Sequence, residues 1–353
     1  MNQLLQRSLK AMTRLALRTG ARAIKLALKT AKRPQGAKAG KAGKRATPLR
    51  VAKTAKTPTR AKLSSAAKGM ASGVHQGRRY LLFKPPNMGR GESLPLVAML
   101  HGCMQDAQSL AASTRMNRLA SSERFMVLYP QQDRLSNLQS CWNWYETRTG
   151  RAQREADSIA AAIEHVCASQ PADRHKVALV GMSAGAGLAS LLALRLPGRF
   201  LAVVMHSGIA PGQASSYATA LRAMGGRAKA VALTRTNADQ HLPALLVIQG
   251  SGDSIVASIN GTQSAQIWAD WEGALPGRVH AVRRGKRFAA DITDYYAGER
   301  QVATLCMVHG LGHAWSGGAA GQPYSDPLGP DASRLAWSFI KKQIACSGAP
   351  NLA

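Results

Sequence analysis

Ser183 sits between two glycines in Gly181-Met182-Ser183-Ala184-Gly185. This is the G-x-S-x-G spacing in which a sharp turn lifts a serine hydroxyl above a sheet edge while the glycines let neighbouring backbone come close. A serine hydroxyl is a poor nucleophile at neutral pH. It needs an imidazole to take its proton and a carboxylate to orient that imidazole, and the chemistry such a set performs is acyl transfer. After a turn of this kind the partners follow in the order Asp, then His. Downstream, Asp253 ends the run Gly250-Ser251-Gly252-Asp253, and His309 and His313 share the run His309-Gly310-Leu311-Gly312-His313. His313 is favoured as the base because Gly310 and Gly312 free its loop and Trp315 beside it could wall a pocket; His309 is read as structural.

These residues need strands to carry them. Val177 to Val180 is a β-branched and aliphatic run suited to a strand buried on both faces, and Ala184 to Leu196 is rich in helix-favouring Ala and Leu. The serine therefore falls at a strand-to-helix turn. A strand over Ala244 to Gln249 leads to Asp253, and one over Val302 to Val308 leads to the histidines. A fourth strand, Leu96 to Leu100, runs into His101-Gly102-Cys103-Met104 and a helical start near Asp106. That early loop and the residue after the serine supply the amides an oxyanion needs, so the backbone N–H groups of Cys103 and Ala184 are the expected donors. All these loops lie outside the carboxyl ends of strands, where reactants meet in an open α/β sheet. Helical stretches at Glu155 to Ser169 and Ser264 to Gly273 alternate with the strands, which predicts an α/β fold with a mostly parallel sheet and helices on both faces.

Six segments in order, "LHGCMQ", "CWNWY", "GMSAG", "GSGDSIVASING", "GLGHAWSGG" and "YSDPLGPDAS", together resemble the polyhydroxybutyrate depolymerase family of esterases, itself similar to feruloyl and acetylxylan esterases. The resemblance runs from about Tyr80 to Cys346. It implies an α/β-hydrolase fold, a triad of Ser183, Asp253 and His313, oxyanion donors at Cys103 and Ala184, a polyester or oligoester substrate and no metal or organic cofactor. Cys103 and Cys141 lie in two of the motif loops, so a bridge between them is expected in an oxidising compartment and free thiols in a reducing one. Trp142, Trp144 and Trp315 are expected as an apolar wall for the acyl chain. Two features depart from the family: the absence of a polymer-binding module after the catalytic segment and a long basic N-terminal extension.

The chain has 353 residues, 45% of them hydrophobic, enough for one large core. Its organisation reads as a basic extension over 1–79, a catalytic domain over 80–346 and a tail over 347–353. The formal net charge is +29 and the first acidic residue is Glu92. Of 47 Lys and Arg, 21 precede Tyr80, so the remainder carries 26 basic against 18 acidic residues. Leu5, Leu9, Met12 and Ala16 recur at helical spacing among Arg and Lys, predicting a basic amphipathic helix. The segment from Pro34 to Lys62 is low in complexity and predicted to be disordered. Such a tail attracts polyanions through counterion release, so residues 1–68 are expected to contact nucleic acid or an anionic granule surface. No uninterrupted membrane span or convincing signal peptide is present, which favours an intracellular, granule-associated enzyme over a secreted one. A second class, a granule- or nucleic-acid-binding protein with a silent hydrolase domain, is opposed by the intact triad. Five cysteines in no metal-ligand spacing give no metal site.

Overall fold

A computed structural model describes residues 69–347 except 229–230, 234–239 and 285. The expected amphipathic helix and low-complexity segment, and residues 348–353 of the tail, lie outside the described residues.

The strands are β1 (Met70–His75), β2 (Arg78–Phe83), β3 (Leu94–Leu100), β4 (Met126–Pro130), β5 (Ala172–Met182), β6 (Ala202–His206), β7 (Ala244–Gly250), β8 (Leu275–Pro276), β9 (His280–Val282), β10 (Ala290–Ala297), β11 (Arg300–Val308), β12 (Trp315–Ser316) and β13 (Ser325–Asp326). The helices are α1 (Ala107–Thr114), α2 (Met116–Glu123), α3 (Arg151–Ser169), α4 (Ala184–Arg195), α5 (Tyr217–Met224), α6 (Ile259–Glu272) and α7 (Ala332–Ser347). Eleven strands form one sheet in the order β1-β2-β4-β3-β5-β6-β7-β11-β10-β8, with β9 also on β10; β12 and β13 pair separately. The centre from β4 to β11 is parallel and both margins are antiparallel.

The central strands read as continuous apolar runs because both their faces are covered. Side chains alternate across a strand, and β3 displays the consequence: Leu96, Ala98 and Leu100 enter one core with α3, α4 and α6, while Val97 and Met99 enter the other with α1, α2 and α7. The four strands predicted to carry the reactive loops are all present, each with somewhat wider bounds. The helices predicted within the described residues are present too. The one expected from Glu155 begins at Arg151, because Gly150 turns the chain at φ 71° and the buried Ala152 carries the apolar stripe back into the first turn.

The sheet begins earlier than the boundary drawn at Tyr80. Residues 70–79, set with the extension in the sequence reading, form β1, a two-residue hairpin turn and the start of β2, paired from Met70↔Phe83 to His75↔Arg78. The turn residues Gln76 and Gly77 both have positive φ, 45° and 78°, the geometry that matches strand twist in a tight hairpin. β1 is an edge strand with little to bury, so it lacks the apolar run that announces the inner strands.

Candidate active site

The sheet order puts the reactive loops side by side. Reading across the carboxyl ends, β3 leads to the His101–Asp106 loop, β5 to Ser183, β6 to His206, β7 to Asp253 and β11 to the His309–Ala314 loop. Ser183 has φ 56° and ψ −120°, a conformation that costs an L-residue energy, and α4 starts at the next residue. Its N–H donates to His206 O at 2.9 Å and its carbonyl accepts from Ala186 N–H at 3.0 Å. Both flanking glycines are required by space. A Cβ on Gly181 would stand 2.4 Å from the Gly185 backbone, and one on Gly185 would stand 2.2 Å from Leu100 O.

Asp253 and His313 are joined directly. His313 Nδ1 lies 2.8 Å from Asp253 Oδ2, with the two side chains 10% and 0% exposed. Because β7 and β11 are neighbouring parallel strands, their loops lie together and are tied further by Ser251 N–H to Val308 O (2.9 Å) and Gly252 N–H to Leu311 O (3.1 Å). Asp253 Oδ1 accepts from the amides of Ile255 and Val256, each at 2.9 Å. Burial pushes the carboxyl towards neutrality, but His313 and those amides outweigh it and hold the pKa below the usual carboxylate value. His309 instead faces outward, with Nε2 at 2.8 Å from the exposed Asp291 of β10.

The loop after β3 packs against the serine: a Cβ on Gly102 would meet Ser183 Cβ at 3.3 Å. Within it, Gly102 N–H donates to Gln105 Oε1 (2.9 Å) and Met104 N–H to Gln139 O (2.7 Å), so the amides on either side of Cys103 are engaged. Cys103 is disulfide-bonded to Cys141, which clamps this loop to the Cys141–Tyr145 run. That run is held in turn by Glu155 of α3, which accepts from Asn143 N–H (2.8 Å), Asn143 Nδ2 (2.6 Å) and Gln132 Nε2 (2.8 Å). Arg78 completes the network through Gln132 Oε1 at 3.1 Å and Gln131 O at 2.9 Å.

Sequence reasoning missed Glu155 and two buried histidines. Glu155 does carry a signal, since it occupies the apolar stripe of α3 that continues through Ile159, Ile163 and Val166. His206 accepts Ser316 N–H on Nε2 at 3.1 Å while Nδ1 contacts Ser207 Oγ at 3.1 Å, so its proton sits on Nδ1. It thereby links the serine turn, through its carbonyl, to the chain just beyond His313. His101 is arranged alike, with Nε2 accepting Gln132 N–H (3.2 Å) and Nδ1 facing Gly102 O (2.9 Å). Burial lowers the pKa of His101 to about 4 and of His206 to about 3, so both rings are neutral.

The tryptophans correct an expectation. Trp142 is fully buried between His101 and Arg78, and Trp315 is buried against the His206 ring with its N–H on Ser333 Oγ at 3.2 Å. Trp144 is also buried and packs against Gly187, where a Cβ would meet its ring at 3.0 Å. None of the three presents an open face to a substrate; they are scaffolding beneath the loops, because aromatic rings with this much area gain most when fully covered. The exposed apolar side chains near the loop are instead Met104 and Leu138, at 57% and 76% exposure, with the Tyr324 hydroxyl 3.6 Å from Met104 Sδ.

Parallel strands that end in a glycine-flanked serine turn, with a joined Asp–His pair on the loops farther across the sheet, make this an α/β-hydrolase. The fold resembles that of an acetyl xylan esterase from Aspergillus awamori, with a TM-score of 0.58 over 77% of this chain and 99% of that one at 17% identity. Within that class the chain belongs to the esterase PHB depolymerase family, whose model matches residues 78–287. Among characterised relatives it is 30% identical over 201 residues to poly(3-hydroxyalkanoate) depolymerase C of Paucimonas lemoignei, covering 54% of this chain and 48% of the relative. It is also 30% identical over 117 residues to feruloyl esterase B of Neurospora crassa, covering 33% and 39%. The chain thus matches half or less of the length of these relatives.

Proposed function

We propose that the protein is a serine esterase that cleaves the ester bonds of polyhydroxybutyrate or its oligomers through Ser183, His313 and Asp253. The observation that carries this reading is the 2.8 Å bond between His313 Nδ1 and Asp253 Oδ2 in loops beside the strained turn of Ser183. With Nδ1–H directed at the carboxylate, Nε2 is the basic nitrogen. Ser183 Oγ attacks the ester carbonyl carbon as His313 Nε2 takes the hydroxyl proton. The oxyanion accepts hydrogen bonds from the amides of Cys103 and Ala184, and its collapse breaks the ester C–O bond while Nε2 returns the proton to the leaving alcohol. Water, deprotonated by the same nitrogen, then attacks the acyl-serine and releases the acid. Asp253, held ionised, stabilises the transient imidazolium. Nucleophile, base and acid are all side chains of this chain, so the cycle closes without a cofactor.

A polyester substrate is supported by the relative from Paucimonas lemoignei and by the exposed Met104 and Leu138 with the half-buried Tyr324 beside Met104. A polymer with few hydrogen-bonding groups gains most from such apolar contact. The disulfide between Cys103 and Cys141 supports an oxidising compartment over the reducing, granule-associated setting that the basic extension suggests. The test is turnover of amorphous 3-hydroxybutyrate polymer, soluble 3-hydroxybutyrate oligomers, a feruloyl ester and acetylated xylan side by side. Faster cleavage of the butyrate esters is expected; preference for the feruloyl or acetyl ester would reassign the enzyme to the carbohydrate esterases.

A further inference from the structure

A cavity of about 350 Å³ opens where the α1–α2 junction, the segment leading into β10 and the start of α7 come together. Four guanidiniums line it, those of Arg115, Arg118, Arg287 and Arg334, against the single carboxylate of Asp331. Two of the four are aimed by neutral partners. Arg115 donates to Gly317 O, and Arg287 Nη1 donates to Gly329 O at 2.5 Å and to Pro327 O at 3.4 Å. Carbonyls fix the direction of these side chains and leave their charge uncompensated. Asp331 serves Arg334, whose backbone N–H and Nε lie 3.1 and 3.7 Å from its carboxylate. Arg118, exposed one turn along α2 from Arg115, engages no protein acceptor among the described residues.

An excess of three positive charges around one cavity is mutually repulsive, and an anion seated among them relieves that repulsion. The guanidinium fork, with its parallel N–H donors, matches two oxygens of a tetrahedral phosphoryl group, and several forks together favour a dianion over a carboxylate. The cavity volume lies at the low end for small-molecule sites, enough for a phosphoryl group and a short organic substituent. We propose that this pocket binds a phosphoryl group, outside the catalytic site. Ser333, on its wall, accepts the N–H of Trp315, and Arg115 holds Gly317, so the pocket backs onto the segment that follows His313.

The test compares the full-length chain with its Arg118→Gln/Arg334→Gln variant, both carrying the basic extension, so that any binding by the extension is common to the two. Calorimetric titration with inorganic phosphate at low ionic strength should reveal one saturable site in the parent, weakened about tenfold or more in the variant. Thermal midpoints should match, since both side chains lie at the surface; should the double variant melt earlier, Arg118→Gln alone carries the same criterion. Cosedimentation with phosphatidylcholine vesicles, with and without phosphatidylglycerol, identifies the source of the group. A higher phosphatidylglycerol fraction needed for half-maximal sedimentation of the variant, over the contribution of the extension common to both proteins, points to a lipid headgroup, and an unchanged fraction beside a weakened phosphate site points to a soluble phosphate ester. Absence of a saturable phosphate site in the parent, or equal affinity in both proteins, overturns the proposal.

Discussion

Replacing Ser183 with alanine removes the proposed nucleophile and leaves the elbow backbone intact, so ester turnover should fall by several powers of ten in a protein with an unchanged circular dichroism spectrum. His313→Ala should do the same. His309→Ala should stay near the parent rate, because His309 pairs with a surface aspartate and not with Asp253. The two buried histidines make a separate prediction about pH. Their folded pKa values, about 4 and about 3, lie below the 6.5 of a free imidazole, so the unfolded chain takes up protons first as pH falls. The stability due to their neutral burial is complete above pH about 6.5 and is lost as pH drops from there towards 4. At about 1.4 kcal/mol per pKa unit, full expression of the His101 shift is on the order of 3 kcal/mol. Denaturation midpoints measured from pH 7 to pH 4 should therefore decline throughout, and a flat profile would contradict neutral burial. At this scale the turn at Ser183 and the pairing of Asp253 with His313 were legible in residue type, order and glycine spacing. His206 could not, since a histidine ending an apolar strand looks the same whether it is buried or solvated.

At the scale of elements, the loop after β3 is shaped by what it is tied to. Closing a loop of 38 residues with the Cys103–Cys141 bond stabilises the fold by about 4 kcal/mol in the chain-entropy account, so Cys141→Ser should lower the unfolding midpoint markedly. Because the bond also sets the position of the Cys103 amide, reduction should depress kcat more than it raises KM, which a dithiothreitol titration of esterase activity can follow. Gly185→Ala tests the contact between α4 and β3. Its Cβ would meet backbone carbonyls that cannot swing away, and a cost of about 1–3 kcal/mol or more is expected, read as a fall in thermal midpoint. The inner strands were legible because continuous apolar runs mean burial on both faces. β1 was not, since an edge hairpin needs only a suitable turn and a partner strand, and neither leaves an apolar signature.

At the scale of the whole molecule, charge is divided between an extension with no acidic residue and a remainder in which 26 basic residues meet 18 acidic ones. Deleting Met1 to Lys68 removes 19 positive charges and no proposed catalytic residue, so hydrolysis of a soluble p-nitrophenyl ester should barely change. Binding of the full-length chain to DNA or to anionic polymer granules should weaken steeply with salt, and the truncated chain should bind feebly at all salt concentrations. Equal retention of both forms on granules and DNA would remove the extension from any role in attachment.

Fold class, the strand-to-helix turn at Ser183 and the placing of Asp253 and His313 on loops after neighbouring strands were determined by the sequence alone, through strand-length apolar runs that each end in a glycine-rich loop carrying one polar residue. Local propensity and order suffice there because each such unit is short and self-announcing. The roles of the tryptophans, the clamp of Glu155 on the Cys141–Tyr145 run, the neutral histidines and the ring of arginines were decided only by the tertiary structure. A tryptophan or an arginine has the same local sequence preferences whether it faces substrate, core or a surface pocket. What it does depends on burial and on partners far along the chain, such as Ser333 for Trp315 or Gly317 for Arg115, and only the packed sheet and helices bring those partners within reach.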